Sequence, residues 1–260
     1  MRRRFGRTRA LCGLSALVLM GAVAASCGTG RDDAFYATGG GKLLSISVRD
    51  GDQVTVTELG PLAPGCGTLA RSPEGVLYSM CGVGMGEPGP QQLARIDPKT
   101  GKANVFGTTV QGQMIMGLEF GPDGTLYAVG DANGASPTFN SFYTVDTKSG
   151  AVTRVGSTGV PAPGFFHDFT VDASGTIYGS AGRALYTIDP KTGTATKVTD
   201  FVGGGGIMGL SYNATHDRLY ATEFRADNSA FYVVNKDNGF LTPLAGTGYP
   251  FAHALVAMNP

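Results

Sequence analysis

Aliphatic and aromatic residues alternate with polar ones in short runs along this chain, and five of those runs end alike. LLSISVRDG from Leu43, LARIDPKTG from Leu93, FYTVDTKSG from Phe142, LYTIDPKTG from Leu185 and FYVVNKDNG from Phe231 each close on an acidic or amide residue and a glycine turn. Alternation with a period of two predicts strands rather than helices. The starts of the five runs lie 43 to 50 residues apart, and strand-type units repeating at that spacing predict a β-propeller.

A second pattern precedes the first, seen most clearly from Met116 to Ala128. Leu118 and Phe120 alternate as in a half-buried strand. Gly121-Pro122-Asp123-Gly124 then turns the chain, because Pro presets φ and Gly accepts a positive one. Thr125–Val129 returns as a second strand, and related versions start at Thr68, Phe169 and Leu210. The two patterns together supply four antiparallel strands, one blade each time, and five blades in all. Ala254–Met258 matches only an innermost strand, and Ala34–Thr38 matches only a second strand. The N-terminal strand is therefore expected to pair with the C-terminal one and close the ring, leaving no open edge between them.

Composition agrees with an all-β chain, since 41 of 260 residues are glycine and no helical period appears. The formal charge is zero, but the first 26 residues hold five Arg and no acid. Without them 15 basic residues face 20 acidic ones, which argues against capture of nucleic acid.

Those 26 residues read as an export signal: Arg2, Arg3, Arg4, Arg7 and Arg9, then the apolar stretch Ala10–Ala25. Val23-Ala24-Ala25-Ser26-Cys27-Gly28 resembles the lipobox of bacterial lipoproteins, in which Cys27 would carry the lipid. The resemblance implies a signal peptide at 1–26, a tether at 27–33 and a propeller at 34–260. The protein would then sit extracytoplasmically, lipid-anchored on the outer face of a bacterial membrane. Ordinary signal peptidase cleavage near Ala25 is the alternative. Cys66 and Cys81 flank the 72–75 turn symmetrically and, in an exported chain, are expected to form a disulfide. A bulge at Gly75 would move the register by one and turn the two side chains apart.

Aligning the inner strands on Leu69, Leu118, Phe169, Leu210 and Leu255 places Gly67, Met116, His167, Met208 and His253 two positions earlier, at the mouth of the central channel. Met116, Met208, His167 and His253 could take a soft metal such as copper, or the two histidines could serve as acid and base. A passive lining is the plain alternative, and no metal or cofactor is expected. Phe165 and Phe166 before His167, and Tyr249 and Phe251 before His253, suit stacking on a flat ligand or sugar, or equally plugging the channel. Phe166 and Phe251 are the candidate contacts. Long loops at Gly82–Gln92, Gly130–Asn140 and Glu223–Ser229 add Asp131, Asn133 and Glu223 as candidate contacts. Glu119 and Asp168 are the acids on inner strands, and a glycosidase would need such a pair. Asp97, Asp146 and Asp189 recur at one position and read as turn acceptors.

These repeats resemble those of secreted bacterial YncE/NHL-like propellers over roughly 34–260. That resemblance implies an extracytoplasmic binding role and transfers no catalytic set. The expected function is a monomeric module binding a small ligand, glycan or envelope protein through His167, His253, Met116, Met208, Phe166, Phe251, Asp168 and Glu223. A lyase or hydrolase using His167 and His253 is the alternative, and a purely structural envelope protein the third reading.

Overall fold

The computed structural model describes residues 32–82, 89–111, 114–130 and 139–258. The expected export signal, Cys27, Asp131 and Asn133 lie outside the described residues.

Among the described residues twenty strands form five four-stranded antiparallel sheets. The first blade holds β1 (Asp33–Gly39), β2 (Lys42–Arg49) and β3 (Gln53–Pro61). The second holds β4 (Ala70–Arg71), β5 (Leu77–Gly82), β6 (Gln91–Ile96) and β7 (Ala103–Val110). The third comprises β8 (Ile115–Phe120), β9 (Leu126–Gly130), β10 (Ser141–Val145) and β11 (Val152–Ser157). The fourth runs β12 (Phe166–Val171), β13 (Ile177–Ala181), β14 (Ala184–Ile188) and β15 (Ala195–Asp200). The fifth runs β16 (Ile207–Asn213), β17 (Arg218–Glu223), β18 (Ala230–Val234) and β19 (Leu241–Gly246). The last strand, β20 (Leu255–Ala257), pairs with β1 through Phe35↔Ala257 and Ala37↔Leu255 and becomes the innermost strand of the first blade. The protein is a five-bladed β-propeller closed by its two ends.

Each inner strand packs on its neighbours, with β12 against both β8 and β16 and β16 against β20. The core is correspondingly divided into five apolar clusters, one between each pair of adjacent blades. Leu69, Leu118, Phe169, Leu210 and Leu255 each belong to a different cluster. Burying each is worth roughly 1.5–3 kcal/mol, so the aligned apolar position holds the blades to one another. Gly117 and Gly209 precede two of these leucines. A Cβ on Gly117 would lie 3.0 Å from the Cα of Asp168, and one on Gly209 3.2 Å from the Cβ of Leu255. Glycine there lets adjacent inner strands approach closely.

The recurring acids are turn acceptors. Asp97 accepts from the Lys99 N–H, Asp146 from the Lys148 and Ser149 N–H groups, and Asp189 from the Lys191 N–H. These bonds hold all three carboxyls below the usual range. Asn235 does the same in the fifth blade with the N–H groups of Asp237 and Asn238.

Strand β1 begins at Asp33, at the end of the expected tether. Its buried carboxylate accepts from the Tyr220 hydroxyl and lies 2.6 Å from His216 Nδ1. Cys66 and Cys81 form a disulfide. Gly75 does take a positive φ of 87°, and Ala70↔Tyr78 is the resulting register. The pairing then slips by one residue between Ala70 and Cys66, so that Gly82 donates to the Gly65 carbonyl. The second irregularity cancels the first and returns the cysteines to opposition.

Candidate functional site: a cup at the channel mouth

The inner strands begin at one face of the ring, and three of them carry the same irregularity. Ile115 pairs with Gly130 and Gly117 with Val129, leaving Met116 as an extra residue. His167 is extra between Phe166↔Ala181 and Asp168↔Ser180, and Met208 between Ile207↔Glu223 and Gly209↔Thr222. A β-bulge re-aims a side chain and raises local twist. Three of the five ring positions read from the alignment, Met116, His167 and Met208, are therefore bulge positions.

Met116 and Met208 open into one cavity of about 520 Å³, with Met114, Phe165, Phe224, Phe251, His253 and the backbone of Gly40 and Gly41 completing its wall. That volume lies within the range of small-molecule sites. Phe224 and Phe251 meet at 5.0 Å between ring centroids, yet remain 40% and 42% exposed. Phe251 has a φ of 54°, an uncommon conformation for a bulky residue that costs roughly 1–2 kcal/mol. Its N–H donates to the Arg225 carbonyl, while the preceding Pro250 carbonyl accepts from Gly40. These bonds hold an exposed aromatic ring at the rim in a strained backbone, a combination that tends to mark binding sites.

His253 is held from behind. Its Nδ1 lies 3.0 Å from the Gly67 carbonyl and 2.7 Å from Thr38 Oγ1. A carbonyl only accepts, so Nδ1 carries the proton and Nε2 is left as an acceptor. Burial pushes the imidazole down to about 4, keeping it neutral at physiological pH. The other side chains of the cup wall are apolar.

His167 is placed differently. Its ring meets that of Phe165 at 4.4 Å between centroids, tilted by 55°, its Nδ1 is buried without a partner among the described residues, and burial lowers its pKa to about 4. It does not line the cup. Phe166 is fully buried against Tyr186, where its ring occupies the space a Cβ on Gly179 would take. Across the bulge the alternation shifts by one, and Phe165 takes the lining position. Asp168 is buried between blades, accepting the N–H groups of Phe169 and Leu210, and burial raises its carboxyl well above the usual range. Glu223 accepts from the Gly205 N–H, the Arg225 guanidinium and the Tyr232 hydroxyl. Burial pushes its carboxyl up, but the bonds from Tyr232 and Arg225 outweigh this and leave it below the usual value.

The segments leading into the inner strands are pinned by polar side chains, mostly from the preceding blade. Gln91 Oε1 accepts the Ile115 N–H at 2.7 Å. Asn140, fully buried, donates to the Val160 and Gly164 carbonyls and accepts the Phe166 N–H. Arg183 donates to the Gly204 carbonyl, and Ser229 Oγ accepts the Ala252 N–H. These bonds fix Met114, Phe165 and Phe251 before any ligand arrives, which lowers the entropy cost of binding. Sequence reasoning named the Phe165-Phe166 pair but put Phe166 rather than Phe165 in the site; it missed Met114 and Phe224, and the pins as well.

A family model described as "Repeat of unknown function (DUF6923)" matches residues 41–247. No curated protein matches. Among solved structures, the chain is similar to one from the nidogen/laminin complex, at 11% identity, covering 87% of this chain and 98% of that one with a TM-score of 0.55. It also matches the PQQ-bound form of aldose sugar dehydrogenase from Streptomyces coelicolor, at 17% identity over 71% of this chain and 68% of that one, TM-score 0.49. Virginiamycin B lyase from Staphylococcus aureus matches at 15% identity over 85% and 73% of the two chains, TM-score 0.46. At such identities the likeness is one of fold.

Proposed function

This chain belongs to the DUF6923 repeat family, and within that frame we propose that it is an extracytoplasmic binding module whose cup takes a small, flat, largely apolar molecule carrying one hydrogen-bond donor. The observation that carries this reading is the cup's composition: three methionines and three phenylalanines around one side-chain acceptor, the His253 imidazole, on a pre-pinned rim. Methionine thioethers adapt to a ligand's outline and favour aromatic rings. The two exposed phenylalanines offer faces for stacking. His253 orients the donor.

Binding is favoured over catalysis because only one of the two histidines lines the cup, and burial keeps both neutral. An acid–base pair needs both groups at one substrate. The Arg-rich leader and Cys27 support export and a lipid anchor, and the Cys66–Cys81 disulfide suits an oxidising compartment.

Native mass spectrometry of the protein isolated from its own cell envelope tests the reading. A retained small molecule of low polarity, absent from His253→Gln and Phe251→Ser preparations, is the expected result. A polysaccharide retained equally by all three preparations would overturn it.

A further inference from the structure

The channel's other mouth carries unspent chemistry. The inner strands end there around a second cavity of about 300 Å³, with apolar walls from Phe120, Val171 and Val256. Two of its polar side chains have unused bonding capacity among the described residues. Arg71, the last residue of β4, lines the cavity, and its guanidinium makes no hydrogen bond or ion pair among the described residues. It folds over the 72–75 turn, where Nη2 would lie 3.0 Å from a Cβ on Gly75, so glycine leaves it room. Glu119 of β8 accepts the Phe120 N–H through Oε1 at 2.9 Å, and its Oε2 has no partner among the described residues. The other polar groups of the cavity are engaged. The Tyr212 hydroxyl donates to Asp217, and the Asp172 carboxylate accepts from Ser174 and Thr176.

We propose that this lower cavity is a second binding site, independent of the cup, for a small carboxylate-bearing molecule whose carboxylate bridges the Arg71 guanidinium and Glu119 Oε2. Its apolar body lies against Phe120, Val171 and Val256. An unpaired guanidinium at the edge of a low-dielectric cavity is a donor fork for a carboxylate.

The second contact requires a proton on Glu119, and burial supplies it by pushing that carboxyl up to about 8. The groups facing Glu119 are Asp168 on β12, Tyr127 opposite it on β9, Asp172 and Tyr212 at the rim, and Arg71 across the cavity. Asp168 is itself raised by burial, and Asp172 is turned into its own loop. At neutral pH Glu119 therefore donates to the ligand. Above pH 8 it ionises and repels an anion, so affinity falls as pH rises.

Benzoate and its neutral twin benzamide are suitable probes, with affinities read by ligand-observed NMR on the purified protein. At pH 6.5 benzoate binds about tenfold tighter than benzamide. Arg71→Gln removes that preference. Wild-type affinity for benzoate falls about tenfold per pH unit above 8, whereas Glu119→Gln keeps a donor and loses this dependence. Phe251→Ser, in the cup, changes nothing here. Equal binding of the two probes, no binding of benzoate, or an Arg71→Gln protein that keeps the preference overturns the proposal. Thermal melts verify that each variant is folded; if Glu119→Gln is not, the Arg71 arm decides alone.

Discussion

Asp168 on β12 accepts the backbone N–H of Leu210 on β16 at 3.0 Å, tying the inner edge of one blade to a side chain of the blade before it. Thr170 repeats the arrangement two residues later, its Oγ1 accepting the Tyr212 N–H at 2.9 Å. An innermost strand has a free edge facing the channel, and its N–H groups need acceptors where water is scarce. Asp168→Ala orphans the Leu210 N–H in the core and is expected to cost about 2–3 kcal/mol. Asp168→Asn, keeping one acceptor oxygen, should cost less. Urea denaturation measures both, and equal stability of the alanine variant and wild type would remove this tie from the account.

Acid should destabilise the protein through its two mouth histidines. Both have folded values of about 4, below the unfolded value of 6.5, so the folded state binds fewer protons. Stability is complete above about pH 6.5 and is lost as pH falls through 4. His253→Gln should flatten the acid limb by about 1.4 kcal/mol per pH unit between those limits. Glu119 acts with the opposite sign. Raised to about 8, it contributes most below pH 4.5 and its contribution is lost as pH rises through 8. Glu119→Gln should therefore gain on wild type as pH increases. Denaturation midpoints from pH 4 to 9 resolve the two limbs.

Removing the disulfide tests the hairpin that carries it. The bridge spans a sequence separation of 15, and in the chain-entropy view a loop of that size contributes about 3 kcal/mol. The Cys66→Ala, Cys81→Ala double variant should lose about that much while binding 1-naphthol in the cup as wild type does, since neither cysteine lines it. Thiol titration of the wild-type protein should find two further thiols only after reduction.

Phe251 should show stability and binding pulling apart. Its ring is 42% exposed and its φ is 54°, so Phe251→Gly relieves the backbone and gives up little burial. The variant is expected to melt at or slightly above the wild-type temperature, yet to lose most affinity for a flat aromatic probe. A loss of more than about 2 kcal/mol would mark the ring as core rather than contact surface.

Much of the fold was legible because it repeats. The apolar positions Leu69 to Leu255 could be put in register, and each fell into its own interblade cluster. Asp97, Asp146 and Asp189 carry a turn chemistry that their spacing displays. The cup was half legible. A bulge adds one residue without requiring a particular residue type, so nothing at Met116, His167 or Met208 announced that the alternation would shift there. That shift exchanged Phe166 for Phe165. The pins were hidden for another reason: Gln91 and Asn140 bond groups 24 and 26 residues away, partners that only the closed ring brings together.

The central claim is that Met114, Met116, Met208 and His253 form one ligand cup. Methyl-labelled methionine NMR, with 1-naphthol titrated as a flat probe bearing a single donor, tests it most directly. The account predicts that the Met114, Met116 and Met208 methyls shift together along one binding curve while the fully buried Met80 stays still. His253→Gln should weaken that curve about tenfold. Unmoved methyls, or shifts indifferent to His253, would contradict it.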